Sequence, residues 1–384
     1  MTVAAARRTA ARAVAGAEDL LGAVRAELGG LRFAGPRARQ ATTAALSVAA
    51  AVTLALLARL DMPWWAAISA FVSVQATRPG SVQRAALRVA GTVAGAAAGL
   101  LIAPCMAFDH VAGTLLLFAV ATLGMVGFLV SAQGYAWLFL AITADLVTLL
   151  SVGDPGAALH VAVDRSLEVA LGCASAVAVV ALLGSDAPAA AAAPCPGWSG
   201  LLDAQWPAVL HAVRTGITVA LLPWAWGAFD LPGLPQMAAT VAAVMATPVS
   251  SAHPVDNGRA VARRALHRAA GCLLGGAAAL LALSASPGHF LPWLGLLAAG
   301  VWVCSHVQTG AHGVGYVGIQ ASVVWIIMIV QGWGPPDSIL PGIDRLAGIL
   351  AGLAILSVVS LLLWPDDAEA APGTAPPGEG SLPD

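Results

Sequence analysis

Two stretches of this chain repeat each other in register, and what repeats is arginine set in apolar sequence. Arg84, Arg88, Gly91 and Gly95 return as Arg264, Arg268, Gly271 and Gly275, each pair 180 residues apart. Pro155, Asp164, Arg165 and Gly172 return at the same interval as Pro335, Asp344, Arg345 and Gly352. Only 10% of the 384 residues are charged, so cations held at fixed spacing constrain the fold strongly. A duplicated apolar unit with arginines in set places has the form of a membrane transporter built from internal repeats.

Composition supports a lipid environment. Hydrophobic residues make up 59% of the chain and the mean hydropathy is +0.83, against roughly half apolar and a quarter charged in soluble domains. The 18 cationic residues are all arginine and the net charge is −2, which gives no basis for binding nucleic acid. The five cysteines form no CxxC pair. Four lie in apolar runs, where a thiol behaves as a small hydrophobe, so neither a disulfide framework nor a metal centre is expected. No GxxxxGK[ST] loop, cofactor motif or Ser/His/Asp constellation emerges, so the expectation is no ATP hydrolysis, no cofactor and no enzyme activity.

A membrane-spanning helix needs roughly 20 apolar residues. Candidates fall at about 41–60, 63–78, 86–104, 111–131, 135–152 and 165–184, then at about 208–228, 233–249, 266–284, 292–309, 314–331 and 343–364. The stretches 63–78, 233–249 and 266–284 are short or glycine-rich. The sequence thus predicts an all-α polytopic protein of about twelve transmembrane helices in two six-helix repeats, 37–185 and 207–365. Residues 186–206 read as a linker rich in Ala and Pro, and 366–384 as a disordered tail. Within the leader, 1–36, Leu20, Leu21, Val24, Leu28 and Leu31 share a helix face, which predicts an amphipathic helix on the membrane surface.

Arginine placement sets the expected orientation. With the N-terminus cytoplasmic, fifteen arginines fall inside and three, Arg59, Arg165 and Arg345, outside, as the positive-inside rule requires. Six spans per unit then make the repeats parallel, with both termini cytoplasmic. The register is not uniform: Pro63-Trp64-Trp65-Ala66-Ala67 matches Pro235-Gln236-Met237-Ala238-Ala239 at an offset of 172, and the only tyrosines, Tyr135 and Tyr316, lie 181 apart.

Pro63-Trp64-Trp65-Ala66, Gln75, Arg78-Pro79-Gly80 and then Arg88-x-x-Gly91-Thr92-x-x-Gly95 resemble the fusaric acid resistance family. Its members are also called aromatic acid exporters, and plant aluminium-activated malate channels are distant relatives. The likeness covers about 37–185 and recurs, degraded, over about 207–365. It implies export of weak organic acids, often aromatic carboxylates, across the bacterial inner membrane, with a small organic anion as the substrate. A homodimer or a periplasmic adaptor would be the partner. The chain departs from larger members in lacking long cytoplasmic domains after each helical unit. Its second unit lacks the Trp-Trp and Gly-Thr pairs.

The candidate functional residues follow from charge in apolar surroundings. Arg165 and Arg345 open the sixth span of each unit after an aspartate, and a guanidinium fork suits a carboxylate. They read as cations flanking an anion path, against a local Asp–Arg pair. Arg88 and Arg268 read as a positive cytoplasmic vestibule or as topogenic anchors, and Gly91, Gly95, Gly271 and Gly275 as helix-packing strips. Asp145 lies mid-span, where an ionised carboxylate costs at least about 2.5 kcal/mol. It and Glu168, one turn beyond Arg165, read as proton-coupling groups. Gly348 and an apolar residue replace them in the second unit. His306 and His312 flank a turn as satisfied histidines or a pH sensor. Trp64 and Trp65 read as an interfacial belt, and Trp137 and Trp325 as packing residues or stacking platforms. The leading reading is a proton-coupled exporter. The alternatives are a passive organic-anion channel and a non-transporting membrane subunit of an efflux complex.

Overall fold

A computed structural model describes residues 16, 18–187, 195–249, 254–284, 288–336 and 338–363. The tail 366–384 and most of the leader before α1 lie outside them. After a leader helix α1 (18–29) come α2 (Pro36–Leu57), α3 (Pro63–Ser73), α4 (Arg78–Phe108), α5 (His110–Val130), α6 (Gly134–Leu150) and α7 (Ala158–Leu183). The second unit comprises α8 (Trp206–Phe229), α9 (Leu234–Met245), α10 (Pro254–Ser284), α11 (Phe290–Gln308), α12 (Gly315–Ile329) and α13 (Leu340–Leu363).

The repeat is written in helix lengths. The first unit runs 22, 11, 31, 21, 17 and 26 residues, the second 24, 12, 31, 19, 15 and 24. Eight of the twelve are long and apolar enough to cross a membrane. The four short ones, α3, α6, α9 and α12, stand at equivalent places. The units also interlock about a twofold: α5 packs on α8 as α11 packs on α2, and α6 on α9 as α12 on α3. Such matched pairs are those of two units related by a twofold rotation.

Helix α3 begins with Pro63 at its first turn and stops at Val74, whose φ of −68° and ψ of 120° are extended. Eleven residues rise about 17 Å, against a hydrocarbon core of about 30 Å. An extended leg completes the crossing to Thr77, which pairs with Ser185 at the end of α7. That pairing brings the start of α4 and the end of α7 to the α1 end of the molecule. Irregular backbone at membrane depth must be enclosed in protein, and α3 is walled by α2, α7 and α12.

A broken helix leaves its last carbonyls without partners. Arginines from the next helix fill that need in both units. Arg84 Nε donates to Val72 O at 2.8 Å and Arg264 Nε to Ala243 O at 2.9 Å. Each guanidinium also lies over the tyrosine that opens the fifth helix, Arg84 at 4.2 Å from the Tyr135 ring and Arg264 at 4.1 Å from Tyr316. A cation at a helix C-terminus is favoured by the helix dipole as well. The paired arginines and the paired tyrosines of the sequence are thus one device.

Glycines bring the third and fifth helices together. A Cβ at Gly91 or Gly95 would overlap the carbonyls of Ala136 or Leu140 on α6. At Gly271 and Gly275 it would meet Val317 O and Ala321 O on α12 at 2.6 Å. The second helices align at an offset of 171, one residue from the Pro63–Pro235 match. Gly172 rests on Ala66 as Gly352 rests on Met237, and α3 and α9 begin at Pro63 and Leu234.

The apolar face of the leader helix is divided, with Leu21 and Leu28 exposed. Leu20 and Val24 are buried against Val307, Val314 and Val317 of the second unit. Glu27, 1% exposed, accepts from the His312 N–H at 2.9 Å, from its imidazole at 2.6 Å and from Arg37 at 2.6 Å. Burial alone would push this carboxyl up. The hydrogen bonds from His312 and Arg37 outweigh it and hold Glu27 at about 2, below the ordinary 4.5. The clamp is therefore complete above about pH 4.5 and is lost as pH falls towards 2. A spin-label pair across α1 and the α11–α12 turn should give one sharp distance at pH 6 that broadens as the pH approaches 2. Glu27→Ala should be broad at both. A sharp distance in that variant would mean that the apolar contacts alone dock α1.

Candidate functional site

One turn beyond the capping arginines, Arg88 and Arg268 turn inward. They do not line an open vestibule, being 2% and 6% exposed. Arg88 reaches Ser69 Oγ at 3.2 Å and Tyr135 Oη at 3.4 Å and lies 4.0 Å from the Phe139 ring. Arg268 donates to Gln320 Oε1 and, at 2.9 Å, to Thr240 Oγ1. Ser69 and Thr240 sit on the broken helices, so these cations tie α3 and α9 to the third and fifth helices of their own units. Buried guanidinium groups are costly unless compensated. Among the described residues, Arg88 has no carboxylate in ion-pair contact.

At the other end of α3 the two units meet on one indole. Trp64 is 3% exposed and stands between arginines of both repeats. Arg345 of α13 lies 4.7 Å from its ring, and Arg165 of α7 lies 5.9 Å from it and 4.5 Å from the neighbouring Trp65 ring. Trp64 is thus no lipid-facing belt residue. Arg165 pairs not with Asp164 but with Glu168, Nη1 to Oε2 at 3.1 Å, both side chains buried. The other oxygen, Oε1, accepts from the Met62 N–H at 2.7 Å, at the N-terminus of α3. Arg345 donates to Ile327 O at 3.3 Å and has no carboxylate partner among the described residues.

This cluster is incompletely satisfied. Trp64 Nε1, Arg165 Nε and Nη1, and Glu168 Oε2 are buried without a well-aligned hydrogen bond. Buried polar groups normally find partners, and several such atoms around one indole make this cluster the candidate site. Outside it, the α12–α13 turn carries a cavity of about 470 Å³ lined by Gln331, Trp333, Pro336, Ser338 and Pro341.

Nearer the end of the molecule, His160 Nε2 lies 2.8 Å from Asp61 and 3.2 Å from Asp164. One nitrogen facing two carboxylates acts as an N–H donor to both, so the triad reads as a charge cluster. Asp164 and Asp61 lie within electrostatic reach of Glu168.

Asp145 is not brought to the arginines. It is 1% exposed and neither oxygen has a hydrogen-bond partner among the described residues. Helical spacing puts it on one face with Leu138, Ile142 and Leu149, which belong to the core between α6 and α9. Two other candidates are packing residues: Trp137 covers Gly127 and meets Trp198, and Trp325 covers Gly300 and donates to Leu297 O at 3.1 Å. His306, 1% exposed, faces Arg32 O and Trp302 O. What sequence reasoning missed was Trp64 as a meeting point. Its signal was the Pro-Trp-Trp at the broken helix, without a counterpart in the second unit.

The family model described as fusaric acid resistance protein-like matches residues 48–179 and again 224–359, one match per unit. The chain belongs to this fusaric acid resistance protein-like family. It is a multi-pass membrane protein of a transporter family. No curated protein and no solved structure matches it. The family-matched stretches contain Trp64, Arg88, Asp145, Arg165, Glu168, Arg268 and Arg345. The clamp residue Glu27 lies outside them, so the family resemblance concerns the helical units and their buried charges.

Proposed function

We propose that this fusaric acid resistance-like protein exports weak organic acids, aromatic carboxylates foremost, across the bacterial inner membrane with both termini cytoplasmic. The observation that carries this reading is the convergence of Arg165 and Arg345, one from each unit, on Trp64. Guanidinium forks suit a carboxylate, and an indole flanked by cations offers an aromatic ring a stacking surface. Arg165 and Arg345 are buried and half-buried cations at this cluster, Arg88 lies within electrostatic reach of Arg165, and Glu168 is the cluster's buried carboxylate. An anionic substrate would reduce that imbalance. Broken helices at equivalent places in two repeats are where transporters of this construction bind substrate. Rocking of the units about their twofold seam would then expose the site to either side. In this conformation it is closed.

Coupling to protons is assigned to Asp145. A carboxyl at membrane depth with no hydrogen-bond partner for either oxygen among the described residues has no evident structural role, and such residues are rarely idle. The passive-channel alternative has no use for it.

Two measurements test this reading. Arg345→Ala should lower export of an aromatic acid at least about tenfold, the loss expected of a charge-assisted hydrogen bond, with unchanged amounts in the membrane. Lysine should restore part, since it supplies charge without the fork. Normal export by the alanine variant would make Arg345 a structural anchor. In inverted vesicles with an imposed pH gradient, Asp145→Asn should abolish uphill accumulation while exchange of substrate persists. Full gradient-driven accumulation by that variant would make the carboxyl structural and favour the channel.

A further inference from the structure

Glu168 occupies the place a substrate carboxylate would take. One oxygen accepts from a backbone N–H at the N-terminus of the broken helix α3, the end where anions are favoured, and the other faces the Arg165 fork. Helix N-terminus plus arginine is a complete set of carboxylate donors, and the protein has filled it with its own side chain. The filling is imperfect, because Arg165 Nε and Nη1, at 2% residue exposure, and Trp64 Nε1 beside them remain without aligned partners. In the second unit the place is absent. Gly348 stands at the position of Glu168, with the backbone of Gly233 against it, so that a Cβ would lie 2.5 Å from Gly233 O.

We propose that Glu168 is a built-in occupant of the anion site, displaced by a substrate carboxylate only when Glu168 takes up a proton. The proposal rests on the reading of Arg165 as an anion-binding group. It specifies what competes with the substrate there. While Glu168 is ionised, it holds Arg165 and the α3 amide, and two carboxylates cannot share them. When it is protonated, the negative charge is gone and the donors are released. Each anion that binds then brings one proton from solvent onto Glu168. Anion and proton bind together, the opposite of exchange at a single site. A proton exchanged for the anion must therefore use another group, and Asp145 is the isolated carboxyl available for it.

The groups that face Glu168 are few. From its own helix come Asp164 and Arg165. The α2–α3 turn brings Asp61, and His160 sits between Asp61 and Asp164. From α4 comes Arg88, within electrostatic reach of Arg165. Arg345 stands across Trp64. Helix α3 carries no titratable side chain, α2 carries only Arg37 and Arg39 at its other end, and Asp145 of α6 faces the other core.

Benzoate, ionised throughout neutral pH, is the probe. Its binding to the purified protein is measured by titration calorimetry from pH 5.5 to 8.0, in buffers of differing ionisation enthalpy. The wild type should weaken by up to about tenfold per pH unit above the titration of Glu168, since only the protonated fraction is competent. About one proton should be taken up per benzoate on that limb. Glu168→Gln keeps the size but carries no charge. It should bind at least about tenfold tighter than wild type at pH 8.0, independently of pH and without proton uptake. Glu168→Gln with wild-type affinity, or with the wild-type pH slope, would overturn the proposal while leaving the anion site standing. Failure of folded wild type and of Glu168→Gln to bind benzoate at any pH would instead overturn the anion site itself. Thermal unfolding of both forms establishes that each is folded. If Glu168→Gln does not fold, Glu168→Ala with the same readouts decides, and proton uptake by the wild type remains a direct test.

Discussion

A helix that stops halfway through a membrane must hand its last carbonyls to something, and here that something is arginine. The rest of each unit follows from this. Arg84 and Arg264 reach α3 and α9 only because the third helix runs alongside the broken one, and their guanidinium groups are held flat by Tyr135 and Tyr316 on the fifth helix. The glycine strips let third and fifth helices approach closely enough for that stacking. Arg88 and Arg268 fasten the middle of the same broken helices. Desolvated cations are costly, and a fold that keeps a buried one, Arg88 or Arg268, in each copy has little freedom to repack.

The two copies have diverged at the opposite end of the broken helix. In the second unit Gly348 lets α13 press its backbone on Gly233. In the first, Glu168, Trp64 and Arg165 stand in that seam, and Arg345, which donates to Ile327 O of its own unit, also reaches Trp64. The duplicated scaffold is thus tight in one unit's seam and polar in the other's. This asymmetry also explains why Trp-Trp occurs once in the sequence. Two such pairs would demand two polar seams.

The repeat, the helix count and the parallel arrangement were legible because arginine, glycine and proline recur at one interval in a chain poor in charge. The pairing of Arg84 with Tyr135 was present as two separate coincidences of spacing, and only folding joins them. Register in the second helix misled by one residue because Pro63 and Pro235 look equivalent. Close backbone packing at Gly172 and Gly352 fixes the true offset of 171. Trp64 was hidden for a different reason. A tryptophan near a span end is usually at the lipid interface, and nothing local says that a second unit will cover it. The docking of the leader helix was hidden likewise: its apolar face fits a membrane or a protein equally well, and only folding shows Leu20, Val24 and Glu27 buried against the second unit.

The central claim is that an aromatic carboxylate sits where Arg165 and Arg345 meet Trp64. Photolabelling with an azidobenzoate, followed by mass spectrometry of the modified peptides, tests it most directly. The account predicts labelling of the segment that carries Trp64 and Trp65, suppressed by excess unlabelled benzoate. Suppressible labelling confined to Trp137 or Trp325, with none at Trp64, would contradict it.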